Sequence, residues 1–481
     1  PNVHAQKEAN NWYFGQRAAI EFTGTNGAPI AVAGSNIVTQ EGNATISDNN
    51  GNLLFYTDGI SVWNSNNNVM TNGTGLQGNF SATQSAVIVP KPGSSTNYYI
   101  FTVPATNSTV GLRYSEVDMS QSGGLGAVLT TNKNTQVTPA GVGVREKVTA
   151  VGHSNGSDFW VITQRSNVGT YYAYRVSSAG VNTTGVTSTI NVGSNTSYIG
   201  YLKASPSGDK LVNMQYNSSE LIFMDFNNTT GAITNPFLVT GTQSPYGGDF
   251  SPDETKFYTG SRSQIYQYDI STYTAAAISA ARTTIYTHSS GTMWAMQLGP
   301  DEKIYVVNYN GTALSQIPNP NVLGVGCGFT YTFLTLIGGT SGQAAQGRLG
   351  LPTFIQSFFA NNNLSIRDTC LGDTTKFDLG NNGQIDSVLW NFGDPMSGAL
   401  NADTTKNARH IYSDTGIYYV SVRLRLVNAN NLTIIDTLYD TIRIHHAPII
   451  DLGNDTILCN GDSLDFTINT DLYEHMWLDS S

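Results

Sequence analysis

Short apolar runs rich in Tyr, Phe, Val and Ile alternate with stretches of Gly, Asn and Ser through the first 359 residues. Runs of strand length bounded by turn formers are hairpin signals. Three hairpins open on nearly the same phrase: ASPSGDKL at 204–211, FSPDETKF at 250–257 and LGPDEKI at 298–304. Their prolines, Pro206, Pro252 and Pro300, stand 46 and 48 residues apart, a spacing that marks a repeat architecture. Pro fixes φ, and Asp and Gly supply local hydrogen bonds and backbone freedom at a tight turn. The phrase therefore reads as the turn that delivers the chain into an inner strand once per repeat.

After each phrase come a strand, a turn and a second strand: KLVNMQYNSSELIFMDF (210–226), KFYTGSRSQIYQYDI (256–270) and KIYVVNYNGTALSQI (303–317). Weaker versions lie upstream at SDNNGNLLFYTDGISVW (47–63), SSTNYYIFTVPATNSTVGLRYSEV (94–117) and SNGSDFWVITQRSNVGTYYAYRV (154–176). A seventh unit is expected from the two ends, WYFGQRAAIEF (12–22) with the segment reaching GLPTFIQSFF (350–359). Closure by both termini protects sheet edges that a radial repeat otherwise exposes. The expectation is an all-β chain whose residues 1–359 form a seven-bladed β-propeller. Six or eight blades stay open on count alone, and an array of β-sandwiches is the competing architecture.

Only 12% of the 481 residues are charged, about half the usual share, which also favours short strands with polar turns. The net charge is −11, so nucleic acid, which demands a basic face, is not an expected partner. Residues 360–481 hold 16 acidic and 7 basic groups against 18 and 16 in residues 1–359, a shift that marks a domain boundary near 360. No apolar run is long enough to span a membrane. The chain starts at Pro1, and Val3-His4-Ala5 before Gln6 looks like a small-residue signal-peptidase site. Export is the expectation, with coincidence in a short polar start as the alternative. Three cysteines, Cys327, Cys370 and Cys459, are too few for a disulfide scaffold and show no zinc spacing.

The acidic tail carries LWNFGD at 389–394 and RHIYSDTGIYYVSV at 409–422. Together they resemble the PKD domain, a small immunoglobulin-like sandwich, over residues 364–445. The resemblance rests on Trp390, Phe392, Gly393 and Asp394 with His410, Tyr412, Gly416 and Tyr418. Pro395 stands where that family has Gly. Trp390 is expected to fill the centre between two sheets, with Tyr418, Val420 and Val422 along one strand. DTCLGDTTKF (368–377) matches DTILCNGDSLDF (455–466), so a second sandwich is expected to begin at 448, after a first at 360–447. Only part of it fits before Ser481, and a longer natural protein is expected.

NNWYFGQRAAIEF, GNLLFYTDGISVWN and GLPTFIQSFF ahead of PKD-like repeats resemble large secreted surface proteins of the Bacteroidota, a gliding- and adhesion-associated group exported by type IX secretion. That resemblance implies a C-terminal sorting domain read by export machinery, and surface glycans or other extracellular proteins as partners. Asp followed by Ser or Thr occurs ten times in residues 360–481 and never before. Seven of these resemble the O-glycosylation signal of the same bacteria, with acceptors Thr374, Ser387, Thr404, Thr437, Thr441, Thr456 and Ser463. A preference of Asp-Thr for strand starts is the plainer alternative.

Motifs for chemistry are sparse. GHSNG at 152–156 matches the nucleophile-elbow pattern, but that motif needs a strand-to-helix turn, and DFWVITQ follows as a strand. Ser154 and His153 therefore read as turn residues. DNNGN at 48–52 lacks the later bidentate Glu of a calcium loop, and His445 and His446 point to opposite faces of a strand. Asp58, Glu116 and Asp249 are acids that a ring could gather at its centre for glycoside chemistry, with a solvated turn carboxylate as the default reading of each. No phosphate loop or dinucleotide fingerprint is present, and neither cofactor nor metal is expected. The leading expectation is a non-enzymatic adhesion or assembly head on sandwich spacers, with a polysaccharide-active hydrolase or lyase and an extracellular filament subunit as alternatives. Peptide mass spectrometry of native protein, taken separately from washed cells and from medium, checks the tail. Sugar masses on the Asp-Ser/Thr peptides of cell-associated material are expected, and unmodified peptides found only in medium count against a surface role.

Overall fold

A computed structural model describes residues 7–105, 109–195, 197–289, 293–338, 344–360, 364–379, 385–427 and 433–446. The chain divides into two compact units, and residues up to Leu364 belong to the first. Seven antiparallel blades follow one another in it: Asn11–Ala31, Ala44–Thr74, Ala86–Gln136, Val144–Thr189, Leu202–Thr240, Gly248–Thr287 and Met293–Thr335. The second and third are joined by a parallel bridge between Ala127 and Thr71. In the second to seventh blades the first strand is innermost and packs beside its neighbours, while Trp12 and Phe22 of the first blade close on Tyr305 of the seventh. The fold is a seven-bladed propeller.

The recurring phrase sits at one rim, between the innermost and second strand of its blade. This corrects the expectation that it leads into an inner strand; it leads out of one. The backbone is the same in all three copies. Ser205, Ser251 and Gly299 donate to the carbonyls of Lys210, Lys256 and Lys303, and their own carbonyls accept from Gly208, Glu254 and Glu302. The three donors Gly208, Glu254 and Glu302 all have positive φ, +74°, +56° and +64°. Copies also bind each other: the Glu254 carboxylate accepts from Ser207 N and Oγ at 2.5 and 2.8 Å, and lies 3.5 Å from Lys210 Nζ.

The seventh unit differs from expectation. Residues 11–31 make a three-stranded blade alone, and the segment 344–359 leaves it to run down the ring axis. Gln346 exchanges backbone bonds with Gln16, and Leu349 N donates to Gln40 O. Ala295 N donates to Leu349 O, Thr353 N to Asn43 O, and Gly152 N to Ser357 Oγ. Leu351, Phe354, Ile355, Phe358 and Phe359 are all buried. Gly350 passes so close to Glu41 that a Cβ would lie 2.1 Å from its carbonyl oxygen, so the position excludes a side chain. Strong side-chain patterning fails here because successive parts of the segment meet different blades.

Residues 364–444 include a three-stranded sheet (Leu364–Arg367, Thr375–Leu379, Asn407–His410) and a four-stranded one (Ala402–Asp403, Ile385–Asn391, Gly416–Val427, Thr433–Ile444). Trp390 is fully buried, with its ring 5.5 Å from Phe377 and 6.1 Å from Phe392. Phe392 stacks on His410 at 4.5 Å, which meets Tyr412 at 4.6 Å, and Tyr418 closes the row. Asp394 is buried and accepts from His410 Nε2, Ser413 N and Ser413 Oγ. Burial alone would raise its carboxyl, but the Ser413 and His410 hydrogen bonds hold it below the usual range. Gly393 has φ +72°, and a Cβ there would strike the Tyr419 carbonyl at 2.5 Å. Gly416 opens the strand in which Val420 and Val422 point inward. The second sandwich expected from 448 lies outside the described residues.

Phe354 anchors the axial segment against Trp12, ring centres 6.0 Å apart. Phe354→Ala is expected to cost about 3–5 kcal/mol in urea unfolding, whereas Phe80→Ala at an exposed site is expected to stay within about 0.5 kcal/mol.

Candidate functional site

The rim at which innermost strands begin is built differently from the rim of repeated turns. Each innermost strand starts there beside the turn joining second and third strands, so residues from several blades converge at the axial segment. Glu41 precedes the innermost strand Ala44–Ser47. Its carboxylate accepts from Tyr246 OH at 3.0 Å and Ser81 Oγ at 3.2 Å. Glu146, in the innermost strand Val144–Gly152, is buried and accepts from Thr83 N and Oγ1, both at 3.1 Å. Burial and the nearby Glu146 charge push Glu41 up to about 7, against the opposing hydrogen bonds of Tyr246 and Ser81. Glu41 therefore changes protonation near neutrality.

Aromatic rings flank this acid. Tyr246 meets Trp294 edge-on at 5.1 Å, and Tyr216 stacks on Trp294 at 6.0 Å with an interplanar angle of 28°. The exposed Arg262 guanidinium lies 5.8 Å from the Trp294 ring centre. Trp294 Nε1 is buried without a hydrogen-bond partner. Phe80, whose carbonyl accepts from Gln40 N and Glu41 N, is 51% exposed. Tyr309 donates no roof here but holds the edge, accepting from Gln40 Nε2 at 3.3 Å. The arrangement brings together one acid whose pKa is raised, the half-buried rings of Tyr216 and Trp294, and an exposed guanidinium.

The acids singled out from sequence do not meet. Asp58 caps its own turn through Ile60 N and Ser61 N. Glu116 is held in its blade by Lys91, Asn97 and Asn132. Asp249 pairs with Lys203 at 2.7 Å inside the ring and is fully buried. Glu41 and Glu146 take the place foreseen for them. The signal that could have found Glu146 is VREKV (144–148), three charges inside a strand otherwise built for burial.

His153 is buried, stacks on Trp160 at 5.6 Å and accepts from Asn155 N. Ser154 Oγ accepts from Thr229, and the chain runs strand, turn, strand, so the elbow geometry is absent from this segment. Asp48 Oδ1 accepts from Asn50 N and Asn52 N, which makes DNNGN a hairpin turn. Among the described residues no group of three His, Cys, Asp or Glu could hold a metal, and no helix is long and apolar enough to cross a membrane. Cys327 and Cys370 are unbridged; Cys459 lies outside the described residues. Ser387, Thr404 and Thr441 are exposed and Thr374 is half-buried, while the side chain of Thr437 and residues Thr456 and Ser463 lie outside the described residues.

No protein-family pattern matches the chain. No curated protein matches it either. Solved structures with which it can be aligned include a protein of unknown function from Desulfotomaculum acetoxidans, at 12% identity and TM-score 0.42, over 71% of this chain and 98% of that one. A candidate 6-phosphogluconolactonase from Bacteroides fragilis aligns at 12% identity and TM-score 0.38, over 79% and 94%. Kluyveromyces lactis Hsv2 aligns at 8% and 0.37, over 64% and 90%. Likeness at this level says nothing of what this chain binds or does.

The protonation of Glu41 has a stability consequence. A carboxyl whose folded pKa lies above its ordinary 4.5 contributes stability below that value, and this is lost as pH rises towards about 7. Glu8, likewise pushed up to about 7 by burial, adds to the wild-type slope. Glu41→Gln is expected to remove its own share, flattening the stability profile by about 2–3 kcal/mol between pH ~4.5 and ~7. Urea titrations across that window read the difference.

Proposed function

We propose that the protein is a non-enzymatic secreted surface protein whose propeller is a glycan-binding head and whose C-terminal part is a PKD-like spacer. The export reading rests on the Val3-His4-Ala5 site and on the resemblance of the motifs to secreted Bacteroidota proteins. The observation that carries the binding reading is the cluster of Glu41, Tyr216, Trp294 and Arg262 beside the buried segment 344–359. A pyranose packs its C–H face on an aromatic ring and offers hydroxyls to polar groups at the ring edge. Segment 344–359 occupies the axis, so a ligand rests on the rim instead of entering a channel.

One observation favours the alternative of a polysaccharide-active enzyme: Glu41 is a carboxyl poised near neutrality beside a second carboxylate. Glycoside hydrolysis needs both carboxylates facing the scissile bond, about 5–9.5 Å apart. Glu146 instead lies buried beneath Thr83 with one oxygen taken by two donors, so only Glu41 reaches the surface. This supports binding over catalysis.

Binding of the chain to bacterial surface polysaccharides, read on glycan arrays and by pull-down with insoluble polysaccharide, is expected for the wild type. Trp294→Ala is expected to weaken it at least about tenfold while leaving the circular dichroism unchanged. Absence of binding to any polysaccharide or cell surface counts against the proposal. New reducing ends or unsaturated products that vanish in Glu41→Gln would establish the enzymatic reading instead.

A further inference from the structure

Alternation along Val144–Gly152 sends Glu146 towards Thr83 of the third blade and Arg145 and Lys147 to the opposite face, towards the fifth. Both cations are fully buried. Lys147 Nζ is satisfied by Asn213 Oδ1 and Met214 O, each at 2.7 Å. Arg145 is not satisfied. Its Nη2 donates to Asn195 O, its guanidinium carbon lies 4.9 Å from the Tyr198 ring centre, and its Nε and Nη1 have no partner among the described residues.

A second orphaned donor lies alongside. Gln215, also fully buried, accepts from Ser197 N with its Oε1, while its Nε2 has no partner. Ser197 and Asn195 belong to the same connection between the fourth and fifth blades, so both orphaned groups border one short segment. Gln164 donates to Asn195 Oδ1 and accepts from Asn213 Nδ2, which places the remaining polar neighbours in bonds of their own. Among the described residues no carboxylate pairs with Arg145. Burying an unpaired guanidinium carries a large desolvation penalty, which a counter-charge offsets.

We propose that Arg145 and Gln215 form the donor set of a buried site for a small monovalent anion of halide size, at the junction of the fourth and fifth blades. Nε and Nη1 of Arg145 and Nε2 of Gln215 supply N–H donors, and Tyr198 covers the guanidinium with its ring. Full burial excludes a sugar ring or a peptide side chain, so the ligand is an inorganic ion and the site is separate from the rim surface around Glu41. Its work is to neutralise the Arg145 and Lys147 face and fix the connection that carries Tyr198.

Bromide tests the site because it scatters anomalously and substitutes for chloride. Crystals grown in sodium bromide are expected to show an anomalous peak within hydrogen-bond distance of Arg145 and Gln215. A water there, with bromide bound only elsewhere, overturns the proposal. In solution the melting temperature is expected to be about 2–4 °C higher in chloride than in gluconate at equal ionic strength. Arg145→Met is expected to abolish that difference. Should it fail to fold, Gln215→Glu supplies the negative charge from the chain itself: it is expected to melt in gluconate as the wild type does in chloride, with no halide response. A wild type indifferent to halide, or a Gln215→Glu variant that keeps the full response, refutes the site.

Discussion

The propeller depends on filling its own axis. Seven innermost strands arranged radially leave backbone groups and apolar side chains facing a central space that water would otherwise enter. Segment 344–359 resolves this by lending its backbone to several blades in turn, through Gln16, Gln40, Asn43 and Ala295, while its Leu and Phe side chains pack between them. The same passage closes the ring, because residues near 350 meet the chain that opened it at Trp12 and Gln16. Buried backbone groups are almost always paired, so a segment that pairs with many blades ties them more firmly than an edge strand added to one.

That filled centre sets the terms for every polar group near it. Lys203 reaches Asp249 and Gln297 across three blades, a buried pair that fixes the angle between neighbours. Glu146 and Arg145 are sequence neighbours with opposite fates: one is satisfied by Thr83, the other lacks partners for two of its nitrogens. Strand alternation separates them, so their charges do not neutralise each other. Breaking a buried pair generally costs more than the pair contributes, and groups of this kind act on geometry more than on net stability.

Much of the fold was legible in the sequence because turn chemistry is local. Pro206, Pro252 and Pro300 announce the same hydrogen-bonded turn, and the apolar runs after them became the second and third strands. Trp390, Phe392, His410 and Tyr412 sit together in one row of rings. What stayed hidden is non-local. Arg348 and Gln16 touch across 332 positions, and Tyr246 reaches Glu41 across 205. Nothing in a single chain's periodicity encodes which acids a ring will gather, and Asp58, Glu116 and Asp249 stand apart, each held by partners of its own. The path of 344–359 was hidden for the same reason, since a segment serving several partners shows the period of none.

The two rims then divide the labour. At the repeated turns the backbone is stereotyped, and Glu254 binds Ser207 of the preceding copy, so that rim is committed to holding blades together. At the opposite rim the connections differ in residue type, and the side chains that converge there are Glu41, Phe80, Tyr216, Arg262 and Trp294. A repeat protein can vary such connections without disturbing its core, because they lie outside the blade ladders. Stability is thus concentrated in one rim and the axis, which leaves the other rim free to carry chemistry.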